Sequence, residues 1–144
     1  MDNPQTYANH VRWYPPFHFV LAPLMLANLI YWIVRFYQNP GWDNGALVVL
    51  AIALILMMFI SRLFALRCQD RIIRLEERLR FQTVLDPETA AKAGGLRVGQ
   101  IIALRFASDE ELPELVKRVL NGELVSQKEI KLAVKNWRAD NFRV

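Results

Sequence analysis

The sequence predicts an all-α protein, in which a two-helix transmembrane hairpin precedes a small helical domain. Two apolar stretches, 17–34 and 45–60, each approach the roughly 20 residues with which a helix crosses a bilayer. Residues 61–85 then contain no glycine or proline, and helix-capping signals recur after residue 86. Hydrophobic residues make up 53% of the chain and charged residues 22%, which fits a protein divided between lipid and water.

An N-terminal cytoplasmic arm, residues 1–15, is predicted to precede the first transmembrane helix, residues 16–38. Between residues 17 and 34 only His18 and Asn28 are polar. A secretory signal peptide is the alternative, but aromatic residues rather than a small-x-small cleavage site follow the apolar core. Asn28 is a candidate intramembrane polar contact, because an unpaired amide is costly in hydrocarbon and favours another helix or a partner.

An external loop, residues 39–45, and a second transmembrane helix, residues 46–66, complete the predicted hairpin. The loop has no lysine or arginine, whereas residues 62–80 contain six arginines. Basic residues near the ends of spans stay on the cytoplasmic side. The C-terminal half is therefore predicted to be cytoplasmic, and two spans return the N-terminus to the same side.

A cytoplasmic stalk, residues 67–85, is predicted to continue the second span as one helix. Opposite charges at i,i+3 and i,i+4 spacing favour an exposed helix, and the pairs are Asp70 with Arg74, Arg74 with Glu77, and Glu76 with Arg80. An apolar stripe accompanies them: Leu66, Ile72, Ile73, Leu75 and Leu79. Three arginines are candidate contacts for anionic headgroups or a partner, although the topology signal alone also explains them: Arg71, Arg74 and Arg78.

A small cytoplasmic helical domain, residues 86–144, is predicted from its caps. Asp86 before Pro87 is typical of a helix start, and Gly94 and Gly95 end that helix. The apolar run 98–107 is predicted to be helical. Capping boxes at Ser108–Glu111 and Ser126–Glu129 predict two further helices, 108–123 and 126–144, packed as an antiparallel pair.

The last predicted helix carries a basic stripe. Four residues at i, i+3, i+7 and i+10 would share one face: Lys128, Lys131, Lys135 and Arg138. Such a face can be solvated, can contact lipid phosphates or, less readily, can bind nucleic acid, for which no base-reading cluster is present. The final residues add three candidate interface anchors, Trp137, Phe142 and Arg143, unless the two aromatic side chains fold back onto the domain core.

The sequence contains no recognisable catalytic, cofactor-binding or metal-binding constellation. It has no glycine-rich phosphate loop, no CxxC and no Ser/His/Asp set, and neither histidine has a cysteine or acid at ligand spacing. The single cysteine, Cys68, suits a reducing compartment. We therefore expect no enzymatic activity, no cofactor and no small-molecule substrate.

The whole chain resembles a family of small bacterial membrane proteins described only as a domain of unknown function. The resemblance rests on YANH at 7–10, RLFALR at 62–67, QDRIIRLEERLR at 69–80, LRFASDEELPEL at 104–115 and KNWR at 135–138. It implies a transmembrane protein of the bacterial plasma membrane. It implies no activity, cofactor or catalytic residue.

Two functions follow as expectations. In the first, the protein is a non-catalytic scaffold or accessory subunit that binds a protein partner, or further copies of itself, through its cytoplasmic helices. In the second, its basic faces bind anionic lipid or, less readily, nucleic acid at the membrane surface. Membrane lipids are expected partners in either case.

Overall fold

The computed structural model of the chain describes residues 5–9 and 13–140. Within these residues every regular element is a helix, so the predicted all-α class is confirmed. Two long apolar helices come first and four short helices follow. A π-helical turn, Pro16–Leu21, leads into α1 (Ala22–Gln38) and α2 (Trp42–Val84); the short helices are α3 (Pro87–Ala93), α4 (Val98–Leu104), α5 (Leu112–Leu120) and α6 (Gln127–Ala133).

The described residues form two compact units. The N-terminal unit consists of residues 13–66. The C-terminal unit consists of residues 67–140 together with the short stretch 5–9. Helix α2 contributes to both units, and it is continuous as predicted, although it begins at Trp42 rather than at residue 46.

Within the N-terminal unit, α2 approaches the first apolar helix near both of its ends. Near one end, the Arg62 guanidinium lies 5.3 Å from the centroid of the Phe17 ring. At the other end, α2 approaches α1 so closely that a Cβ added to Gly45 would lie 3.4 Å from the Phe36 ring. Asn28 is half-buried on α1, and its contact within a membrane stays a prediction.

The core of the C-terminal unit is built from the end of α2 and the four short helices. Its largest fully buried side chains are Phe81, Phe106, Ile101, Leu104, Leu112, Ile130 and Val116. Helix α3 packs against α5, and α6 packs mainly against α4. The predicted pairing of the last two helices is therefore only a minor contact.

Local capping signals position two of the short helices as predicted. The Asp86 carboxylate accepts the backbone N–H of Thr89 at 3.0 Å, and Pro87 occupies the first turn of α3. At the start of α6, the Ser126 hydroxyl accepts the N–H of Glu129 at 3.2 Å, and the Glu129 carboxylate accepts the N–H of Ser126 at 3.0 Å. These bonds join residues three apart, which is why the sequence alone reveals them.

Helix α6 ends much earlier than predicted, and α5 begins later. After Ala133 the backbone becomes extended, with Val134 at φ −69° and ψ 122°. The following residues pair with the segment before α5: Ser108 N–H donates to the carbonyl of Asn136 at 3.0 Å, and Arg138 N–H donates to that of Phe106 at 2.8 Å. The predicted helices 108–123 and 126–144 are therefore wrong where these two segments pair.

Candidate functional site

A charged cleft of about 700 Å³ lies within the C-terminal unit. Its walls are the last turns of α2, the segment that follows α4 and the segment that follows α6. The ionisable side chains that line it, which define the charged cleft below, are Glu76, Glu77, Arg80, Arg105, Asp109, Arg138 and Asp140. Each wall thus contributes at least one arginine.

Arg80 is the central residue of the cleft. Its side chain is 8% exposed, and it donates hydrogen bonds to Glu77 at 3.2 Å, to Asp109 at 2.7 Å and to the carbonyl of Ala107 at 2.7 Å. Three acceptors for one buried guanidinium offset much of the cost of removing it from water. Arg80 therefore connects α2 to the segment between α4 and α5.

Glu77 joins this network from the same face of α2. Its second carboxylate oxygen lies 3.7 Å from the guanidinium of Arg138. Burial raises the pKa of the Glu77 carboxyl above its ordinary value, while the positive charge and hydrogen bond of Arg80 act in the opposite direction. Glu77 thus links the segment after α6 to α2.

Arg105 provides the third connection. Its Nε lies 3.0 Å from a carboxylate oxygen of Asp140, and its guanidinium lies 4.5 Å from the centroid of the Phe106 ring. The Phe106 ring also packs against Trp137, with centroids 4.9 Å apart and the ring planes tilted by 35°. The segment after α6 is therefore held by an ion pair and an aromatic contact together.

Glu111 explains why this segment leaves the helix. Its carboxylate accepts backbone N–H groups from Lys135 and from Asn136, each at 3.1 Å, and that of Ser108 at 3.4 Å. Two of these donors would otherwise bond to carbonyls of α6. The sequence predicted Glu111 only as part of a local capping box, and its long-range role was missed.

The predicted basic stripe does not form. Lys128 and Lys131 lie on α6, but Lys135 and Arg138 lie beyond its end, so the four residues share no helix face. Lys131 instead lies 5.5 Å from the centroid of the Phe106 ring, and Arg138 approaches Glu77. The basic stripe required α6 to continue to residue 138. The helix ends earlier because Glu111 and the Ser108–Asn136 pairing bind the backbone of the residues that follow it.

The remaining candidate contact residues differ in their exposure and in the groups that they contact. Arg78 donates to the carbonyl of Gly94 at 2.7 Å and so caps the end of α3, whereas Arg71 is exposed and Arg74 is half-buried. Trp137 packs against the core, which favours the fold-back alternative for this residue. Phe142 and Arg143 lie outside the described residues.

The pairing pattern indicates what the charged cleft can do. Each of its arginines faces an acid, and its lining has one more acid than arginine, so it offers no surplus positive charge to a phosphate. Among the residues that the structure describes, no group of three histidine, cysteine or acidic side chains could hold a metal ion. The ion pairs and hydrogen bonds of the cleft therefore form an internal clamp, a network that joins the segments after α4 and α6 to α2.

Sequence analysis missed Glu77, Arg80 and Arg105 as buried residues. A signal was available for the first two. Glu77 and Arg80 fall at helical spacing with the core residues Ile73 and Phe81, so they share the buried face of α2. The predicted placement of both charges on an exposed helix surface is therefore wrong.

The opposite face of α2 in the C-terminal unit exposes large apolar side chains. Ile72 is 57% exposed, Leu75 is 62% exposed and Leu79 is 56% exposed. Cys68, also exposed, lies one turn before them. From here on, we call Cys68, Ile72, Leu75 and Leu79 the apolar stripe. It differs from the stripe predicted from the sequence, which included Ile73; the Ile73 side chain is buried in the core instead.

These features define a class of all-helical protein with two long apolar helices and a small, internally clamped helical unit. The model of a family of unknown function (DUF6526) matches residues 1–144, and the chain belongs to this family. The predicted membership of an uncharacterised family is thus confirmed. No curated protein and no solved structure matches the chain.

Proposed function

We propose that this protein is a multi-pass protein of the bacterial plasma membrane and a non-catalytic scaffold or accessory subunit. Residues 16–38 and 46–66 are its two spans, and both termini are cytoplasmic. The C-terminal unit binds a protein partner through its helices.

The exposure of the two long helices supports the membrane location. Pro16–Gln38 and Trp42–Val84 are long and apolar enough to cross a bilayer, and almost none of their apolar windows is buried. A core helix of a water-soluble protein would be mostly covered by protein. Lipid is the environment that accepts such side chains at no cost.

The exposed apolar stripe is the observation that supports the proposed binding of a protein partner. It lies in the C-terminal unit, beyond the proposed span, where three large side chains are more than half exposed. Contiguous exposed apolar side chains on a water-facing surface are typical of interaction sites. The charged cleft supports a non-catalytic role, since its ionised groups neutralise one another.

The lipid-binding alternative has weaker support from the geometry. It relied on a continuous basic stripe along one helix, and the four residues concerned are now divided between α6 and the segment after it. What remains are arginines that follow the second span, such as Arg67 and Arg71, and the topology signal accounts for these.

The topology predicts the reactivity of the native thiol. In intact cells, a membrane-impermeant maleimide should leave Cys68 unlabelled, because Cys68 follows the second span on the arginine-rich side. In a Cys68→Ser background, Gly41→Cys should react, since Gly41 lies between the spans and a Cβ there meets nothing within 4 Å. Permeabilised cells, in which Cys68 should react, provide the control. Labelling of Cys68 from outside would reverse the proposed orientation.

Partner binding predicts the composition of the extracted protein. Full-length protein taken from native membranes in mild detergent should appear by native mass spectrometry as a complex heavier than one 16.7 kDa chain, with protein as the added component. A single chain that carries lipid alone would contradict the scaffold proposal and favour the lipid alternative.

A further inference from the structure

The apolar stripe has the spacing of a coiled-coil seam. Its members follow one another at intervals of four, three and four residues, so Ile72 and Leu79 take a positions and Cys68 and Leu75 take d positions of a heptad. Ile72 at a with Leu75 at d is the combination that favours two strands; the other a and d positions hold Leu79 and Cys68.

The stripe is free to accept a second helix. On the same stretch of α2, the residues buried in the core are Ile73, Glu77, Arg80 and Phe81. At 3.6 residues per turn, the centres of the buried face and of the stripe are about 150° apart. A helix laid on the stripe therefore leaves the core and the ion pairs of Arg80, Arg105 and Arg138 undisturbed, and it meets the charged cleft only at its border, where Glu76 and Leu79 lie.

The charges beside the stripe match those of a parallel pair. Arg71 takes a g position and Glu76 takes the e position five residues later, and both side chains are exposed. In a parallel coiled coil, g of one helix faces e of the next heptad of the other. Arg71 of each copy would therefore face Glu76 of the other, twice by symmetry.

An antiparallel pair of helices would place like charges, rather than opposite charges, beside each other. It brings g positions together, and both g positions here are arginines, Arg71 and Arg78. Like charges at this distance repel. The charge pattern therefore favours the parallel orientation. This is also the orientation of two copies that enter the cytoplasm from the same membrane.

We propose that the partner bound by the apolar stripe is a second copy of this chain, joined as a parallel two-stranded coiled coil over residues 68–79. This inference rests on the proposed function, because the spans impose the parallel orientation. A seam of this length is weak in free solution, but two anchored copies meet at a high effective concentration.

The native cysteine provides the first test. Cys68 at a d position lies next to its counterpart in the second copy, so mild oxidation of native membranes should convert the full-length protein into a disulfide-linked dimer. In a Cys68→Ser background, Leu75→Cys should crosslink and Arg74→Cys should not, since position 74 points away from the seam. Equal crosslinking at positions 74 and 75 would mean random collision and would overturn the dimer.

Charge exchange provides a second test that is independent of cysteine geometry. Arg71→Glu alone, or Glu76→Arg alone, should weaken the Cys68 crosslink by placing like charges opposite each other, and the double exchange should restore it. Leu75→Glu should abolish it while the helical content measured by circular dichroism is retained, because Leu75 is exposed in the single chain. Failure of the double exchange to restore the crosslink would overturn the proposed pairing.

The two proposals fail separately. A native mass spectrum with one copy of this chain and a different protein would overturn the dimer and leave the scaffold proposal standing. One copy with lipid alone would overturn both.

Discussion

Replacement of Arg80 by alanine should lower the free energy of unfolding of the C-terminal unit by about 3–5 kcal/mol, the range for removal of one partner from a buried ion pair. The guanidinium is nearly fully buried and donates to Glu77, to Asp109 and to the carbonyl of Ala107. Alanine would leave the Glu77 carboxylate buried beside an empty space, with the more distant Arg138 and Arg105 for compensation.

Tryptophan fluorescence during urea unfolding of the full-length protein in detergent can measure this loss. Trp137 is the only tryptophan of the C-terminal unit, so replacement of the other three by phenylalanine isolates its signal. The matched control is Arg118→Ala, which breaks a 3.2 Å ion pair with Glu123 between partly exposed side chains and should cost less than about 1 kcal/mol. Equal losses in the two variants would refute a buried clamp.

Phe106→Ala should be similarly damaging, with an expected loss of about 3–5 kcal/mol. The Phe106 side chain is fully buried and packs against the ring of Trp137, and both Arg105 and Lys131 approach its ring. Removal of the ring leaves a cavity and releases the segment after α6. Limited proteolysis should then cut this segment faster, which separates its release from a general loss of stability.

A double-mutant cycle with Trp137→Ala tests the aromatic contact itself. The sum of the two single losses should exceed the loss in the double variant by about 0.5–1.5 kcal/mol, the coupling typical of aromatic pairs. Leu132→Ala, at a side chain that is 57% exposed on α6, should have little effect and serves as the control. Additive losses for Phe106 and Trp137 would show that the two rings act independently.

These two predictions bear on function, because they assign Arg80 and Phe106 to the stability of the C-terminal unit. If Arg80 and Phe106 hold the segment after α6 in place, their roles are internal, and the proposed contact with a second copy is tested at the apolar stripe on the far side of α2. The crosslinking experiments then examine that surface in variants whose fold is intact.

Much of the fold could be predicted from local signals. The two long helices follow from uninterrupted apolar residues, and the continuity of α2 follows from the lack of glycine and proline in 61–85. The starts of α3 and α6 follow from Asp86 and Ser126, whose side chains bond to N–H groups three residues away. Of the candidate contact residues, the sequence correctly singled out Trp137 as one that could fold back, but it did not decide between docking and packing.

The sequence by itself determined the elements whose bonds and spacing lie within one or two helical turns. Only the tertiary structure decided where α6 ends and which charges are buried. Glu111 accepts the N–H groups of Lys135 and Asn136, from 24 and 25 residues away, and these bonds replace those of a longer helix. Arg80 is buried because Asp109 and Ala107, distant in the chain, supply its acceptors. The end of α6 has no local signature. For Arg80, helical spacing with Ile73 and Phe81 indicates the buried face, but the acceptors that make its burial favourable meet it only after the helices have packed.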